Sequence, residues 1–119
     1  MEKRTELSEI GEFGLIEKLN EGNKIKNTST IFGIGDDCAG LCYKDKLVLV
    51  STDAMCEGVH FDMTYTPLKH LGYKACVTNF SDIYAMNGSP KQITIALSVS
   101  NRYSVEALEE LYEGIHIAC

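Results

Sequence analysis

The spacing of apolar residues changes along the chain, and each change of period predicts an element. Over residues 11–20, Phe13, Ile16 and Leu19 recur at a helical interval, with Ser8 as the candidate cap. The polar run GNKIKNTST at 22–30 predicts a loop. Ile31-Phe32-Gly33-Ile34 predicts a strand that stops at Gly35-Asp36-Asp37. Leu41-Cys42-Tyr43, a turn at Lys44-Asp45-Lys46 and the run Leu47-Val48-Leu49-Val50 predict a hairpin whose second strand is fit for burial.

Pro67 opens the longest helical stretch, which runs to about Met86 and carries Leu68, Leu71, Ala75, Phe80 and Ile83. Asn87-Gly88-Ser89-Pro90 ends it. Residues 91–99 alternate, with Ile93, Ile95, Leu97 and Val99 on one face, and predict a half-buried strand. A last helix from near Ser104 sets Leu108, Leu111, Ile115 and Ala118 on one stripe. That stripe is still running when the sequence stops, so the pattern predicts a fragment cut near a helix end, with more protein downstream.

Composition narrows the class. The 119 residues suffice for one domain with one core, and 45% hydrophobic against 24% charged residues is a globular balance. No apolar run approaches the roughly 18 residues of a membrane span, and Met1-Glu2-Lys3-Arg4-Thr5-Glu6 is no signal peptide. A net charge of −6 argues against nucleic acid as a partner but not against phosphates held through a divalent metal. The five cysteines form no CxxC pair, which predicts reduced thiols in a cytoplasmic protein and no zinc site.

Candidate chemistry falls where the regular elements end. Asp36 and Asp37 follow one strand, and Ser51-Thr52-Asp53 follow another. Asn79 and Asp82 stand three residues apart and share one face of the long helix. Carboxylates, hydroxyls and amides gathered at strand ends are the oxygen ligands that magnesium prefers. Each piece alone has a plainer reading: Gly-Asp-Asp as a turn, Ser-Thr-Asp as a cap, Asn79 and Asp82 as a solvated face, His60 as a loop histidine. Nothing around His70 or His116 raises them above that level. Gly33 and Gly35 lack the context of a dinucleotide fingerprint or a P-loop.

Taken in series, the pieces resemble a known family. Gly11-Glu12-Phe13, GIGDD with Cys38-Ala39, Ser51-Thr52-Asp53 with EGVHF at 57–61, Leu71-Gly72-Tyr73-Lys74-Ala75, Asn79-Phe80-Ser81-Asp82 and Ala85-Met86 look like thiamine-monophosphate kinases, over nearly the whole chain. These belong with the ATP-dependent enzymes related to aminoimidazole ribonucleotide synthetase. The resemblance implies an α+β fold, with a small mixed or antiparallel sheet, helices packed on one face, and sheets that pair in a homodimer. Residues 1–119 would be the N-terminal ATP- and Mg-binding domain, with a Gly-Gly-Asp motif and a C-terminal domain beyond Cys119.

The implied reaction moves the γ-phosphoryl of ATP directly onto the phosphate of thiamine monophosphate, with Mg²⁺ as cofactor and no nucleophilic side chain. By position, Asp37, Ser51, Thr52, Asp53 and Asp82 match metal ligands. Asp37, Thr52, Asp53 and Asp82 thereby also hold the nucleotide, while His60 matches the residue that contacts the substrate. Asp36 is structural or supports the ligands. Departures from the family pattern are Asn87 for a usual glycine, Cys38 and Phe80. The alternatives are another ATP-dependent enzyme of the same superfamily, which EGVHF argues against, or a non-catalytic dimerisation and metal-binding module when the fragment stands alone.

Overall fold

The computed structural model describes residues 3–119; Met1 and Glu2, part of the N-terminus expected not to be a signal peptide, lie outside the described residues. The fold is α+β, with element order α1 (Leu7–Asn20), β1 (Thr30–Phe32), β2 (Ala39–Tyr43), β3 (Lys46–Val50), α2 (Leu68–Ala85) and α3 (Val105–Ala118). It divides into two compact units, one ending at Val50 and the other spanning Ser51–Cys119.

In the first unit, α1 begins earlier than its apolar spacing predicts. Glu6, rather than Ser8, takes the cap position: its N–H donates to Glu9 Oε1 at 3.2 Å, and the Glu9 N–H donates back to the Glu6 carbonyl at 3.0 Å. A glutamate three residues in satisfies a donor that the first helical turn cannot. Gly11 then breaks the helical geometry at φ 70° and ψ −179°, a conformation open to glycine, so the predicted segment is the part that follows a kink. No residue of α1 is buried, and Phe13 is 83% exposed.

The three strands form an antiparallel sheet in the order β1-β2-β3. β2 and β3 pair from Ala39↔Val50 to Tyr43↔Lys46, so the hairpin reverses at Lys44 and Asp45, with Lys44 at φ 57°. The ladder between β1 and β2 shifts register between Thr30 and Phe32, and the Phe32 ring lies where a side chain at Gly40 would stand. Cys38 and Gly40 are buried, but Leu47, Val48 and Val50 stay exposed, against the expectation of a buried strand. A single sheet layer covers neither of its own faces, and burial needs a second layer laid on it.

The second unit holds the hydrophobic core. Leu71 and Cys76 of α2 meet Leu111 and Ile115 of α3, with Met55, Phe61, Met63, Leu68, Phe80 and Ala118 packed around them. Of the predicted apolar positions, Leu68, Leu71 and Phe80 of α2 and Leu111, Ile115 and Ala118 of α3 join this core, and Cys76, which the spacing did not name, joins them. Pro67 occupies the N-cap of α2, and the Ser104 hydroxyl accepts from the Ala107 N–H at 3.1 Å at the start of α3. The helices cross where Gly72 faces the Leu111 carbonyl and Gly114 faces the Lys69 carbonyl, too close for a side chain at either position. Lys69 and Glu113 form an ion pair over the same crossing at 3.6 Å.

The end of α2 explains the asparagine in place of glycine. Asn87 takes φ 58°, its N–H donates to the Tyr84 carbonyl and the Gly88 N–H donates to the Ile83 carbonyl, both at 2.9 Å. This is a Schellman end, and asparagine is the non-glycine residue best suited to its left-handed position. The loop shape is therefore kept.

The strand predicted at residues 91–99 does not form. No ladder includes it, and Ile93, Ile95, Leu97 and Val99 are 37–49% exposed. Alternation prescribes two faces, but a strand exists only beside a neighbour that accepts its hydrogen bonds.

Candidate functional site

The polar residues of the second unit converge at two places along α2. At the first, Ser51 leaves the end of β3 and donates its hydroxyl to Asp82 Oδ2 at 3.2 Å, in a part-buried setting. Asp82 lies in the last third of α2 and is half-buried. Thr52 and Asp53 follow Ser51 without regular structure and are exposed, and Asp53 Oδ1 accepts the Ala54 N–H at 2.8 Å. Asn79 does not join them through its amide nitrogen, which donates to the Ala75 carbonyl of its own helix at 2.8 Å. The expected patch of Asn79 with Asp82 is thus centred instead on Ser51 with Asp82.

At the second place, residues 56–66 form a tight non-helical turn. The Gly58 N–H donates to the Phe61 carbonyl at 2.7 Å, with Gly58 at φ 78°. The N–H groups of Val59 and His60 both donate to the Cys56 carbonyl, at 3.2 Å and 2.9 Å. In return the Cys56 N–H donates to His60 Nδ1 at 2.8 Å. An Nδ1 that accepts carries no hydrogen, so the neutral ring holds its hydrogen on Nε2 and offers that nitrogen as a donor. Gly58, Val59, His60, Phe61, Asp62 and Tyr65 line an open depression of about 200 Å³.

Two features near this turn were not singled out from the sequence. Lys74 of α2 donates from Nζ to the His60 carbonyl at 2.9 Å; the residue lies inside a matched motif, but a lysine on a helix reads as a solvated side chain. Asp62 Oδ1 accepts both the Thr64 hydroxyl at 2.7 Å and the Thr64 N–H at 2.8 Å. Those bonds, the hydroxyl first, hold its carboxyl below the usual aspartate value. The Asp-x-Thr spacing was the available signal for this turn.

In the first unit, the Asp37 N–H donates to Asp36 Oδ1 at 2.8 Å, and both residues are exposed. Among the described residues, no three His, Cys, Asp or Glu side chains are grouped to hold a metal ion. The donor set still suits magnesium, which takes one or two carboxylates and completes its shell with water and phosphate oxygens. Ser51 with Asp82 supplies hard oxygens at one point, and Asp53 stands beside them in sequence.

The family model for AIR synthase related protein, N-terminal domain, matches residues 35–119. The chain is 41% identical over 113 residues to a thiamine-monophosphate kinase of Aquifex aeolicus, covering 95% of this chain and 35% of that protein. It is 37% identical over 108 residues to one of Bacillus subtilis, covering 90% and 33%. A solved structure, AaThiL complexed with AMPPCP and TMP, superposes with a TM-score of 0.80 at 35% identity, over 98% of this chain and 35% of that one. The chain therefore spans about a third of the length of the relatives it matches. With its α+β architecture and the match running from Gly35 to Cys119, the chain belongs to the AIR synthase related family, through its N-terminal domain.

Proposed function

We propose that this chain is the N-terminal part of an ATP-dependent thiamine-monophosphate kinase, which makes thiamine diphosphate. The observation that carries the reading is the likeness, at 35% identity over 98% of the chain, to a structure complexed with AMPPCP and TMP. The donor atoms are of the kind this reaction needs. An oxygen of the acceptor phosphate forms a bond to the γ-phosphorus of ATP, the bond from that phosphorus to the bridging oxygen breaks, and ADP leaves with the electron pair. The acceptor oxygen is already anionic, so no side chain has to remove a proton from it.

Catalysis then rests on placing charge. Magnesium, when bound, supplies the positive charge that lets two polyanions approach. Asp37, Ser51, Thr52, Asp53 and Asp82 are the residues proposed to hold it and, through it, the nucleotide. Ser51 turns its hydrogen toward Asp82 and leaves its lone pairs available, while Asp53 offers an exposed carboxylate. His60 offers Nε2–H beside the open depression, as a hydrogen-bond donor toward the thiamine phosphate. The reading includes a cytoplasmic homodimer; the absence of a CxxC spacing among the five cysteines and the exposed Ile93, Ile95, Leu97 and Val99 support it. Among the described residues, no helix is long and apolar enough to cross a membrane.

The test is ADP formation by the whole enzyme that contains this chain, with thiamine monophosphate, Mg²⁺ and ATP. Turnover that depends on thiamine monophosphate is expected, and its absence would refute the assignment. In the same assay Asp53→Asn, which keeps size and removes charge, is expected to lower kcat by about 100-fold or more. Near-normal turnover would remove Asp53 from the metal set.

A further inference from the structure

We propose that Lys74 is a positioning residue for His60. Its ammonium holds the peptide that follows the imidazole and so fixes the direction of Nε2–H toward the substrate. The inference rests on the proposed role of His60 and adds to it a residue on a different element.

The turn at 56–66 has no helix or strand to hold it. The bonds Gly58 to Phe61, His60 to Cys56 and Cys56 to His60 Nδ1 all lie within the turn. They fix its internal shape but not its position on the unit. Met55 packs against the core just before the turn, and Phe61 and Met63 do so after the histidine, so the two flanks are anchored while His60 between them is exposed. The bond from Lys74 Nζ to the His60 carbonyl, at 2.9 Å and fourteen residues away in sequence, ties His60 itself to α2. A bond from an ammonium is stronger than one between neutral groups. Because α2 is packed through Leu71 and Cys76 on either side of Lys74, the tether ends on a rigid support.

The carbonyl and the ring are thereby held at once. Lys74 sets the peptide plane after His60, and the Cys56 N–H sets the ring at Nδ1. With both fixed, Nε2 has one direction in which to donate. Without Lys74 the ring would be oriented on a peptide whose carbonyl has lost its tie to α2, held by the turn's own bonds and by Phe61 alone.

The test uses the whole enzyme with Lys74→Met, Lys74→Arg, His60→Ala and the double variant His60→Ala/Lys74→Met. Lys74→Met is expected to raise KM for thiamine monophosphate about 5- to 10-fold with little change in KM for ATP, as for loss of one charge-assisted hydrogen bond. Lys74→Arg should restore most of that loss. In the His60→Ala background, Lys74→Met should cost nothing further, because the ring it orients is gone. Losses that add in the double variant would mean that Lys74 touches the substrate itself, and would overturn the proposal.

A second readout is the side-chain nitrogen signal of His60 by NMR. It should report an unprotonated Nδ1 in the neutral parent and broaden or shift in Lys74→Met; an unchanged signal would also overturn the proposal. If His60→Ala leaves KM unchanged while Lys74→Met still perturbs the His60 signal, the substrate role of His60 fails and the positioning role stands.

Discussion

Thr64 decides how acidic Asp62 is. Its hydroxyl and N–H both favour the charged carboxylate, so the folded-state value lies below the ordinary 3.8. A group depressed in this way stabilises the fold above its unfolded value and loses that contribution as pH falls through the folded one. Thr64→Val keeps the N–H bond and removes the hydroxyl. The Asp62 carboxyl should then titrate closer to the ordinary value by NMR, and the variant should be less stable than the parent at neutral pH, with the gap closing as pH falls below 3.8. At Cys76 burial acts first and nearby Cys119 second, and both push the thiol up. Individual site residues were legible in the sequence only as members of a series. Asp37, Asp53, Asp82 and His60 could be named because of the motifs around them. The hydrogen on His60 Nε2 and the tie to Lys74 could not, since both depend on where a backbone N–H and a helix meet in space.

At the scale of elements, the helices were readable and one strand was not. The stripe Leu108, Leu111, Ile115 and Ala118 names the buried side of α3 because a helix carries its hydrogen bonds within itself. Residues 91–99 alternate as cleanly, yet their hydrogen bonds require a second strand that no periodicity specifies. The crossing of α2 and α3 was equally hidden, since Gly72 and Gly114 read as weak points in a helix until the partner backbone is seen. Gly114→Val would force that crossing apart or displace the Lys69 carbonyl, and is expected to destabilise the second unit by about 1–3 kcal/mol. Gly22→Ala meets nothing within 4 Å and serves as the neutral control. Denaturant melts of the two variants decide the matter; equal midpoints would show that the helices accommodate a side chain at the crossing.

For the whole molecule, apolar surface stands out. In the second unit Ile93, Ile95, Leu97 and Val99 are exposed, and in the first Val48 and Val50 are; pairing with a second copy would cover such apolar side chains. The 119-residue chain by itself is expected to sediment as a homodimer at micromolar concentration and to form no thiamine diphosphate, because it spans about a third of the length of the relatives it matches. A clean monomer would refute the first expectation, and measurable product the second. The α+β class was readable from the sequence through its motifs; the division at Val50 was not, because the strand and the Ser-Thr-Asp run that follows it form one unbroken stretch. The end of α2 also bears on how the molecule ages. Asn-Gly is the sequence most prone to deamidation, in which the nitrogen after the asparagine attacks its side-chain amide to close a succinimide. Here that nitrogen belongs to Gly88, and its hydrogen is committed to the Ile83 carbonyl at 2.9 Å. Folding thus shields Asn87 from the chemistry its neighbour invites, and deamidation at this position becomes a clock that advances only while the helix end is open.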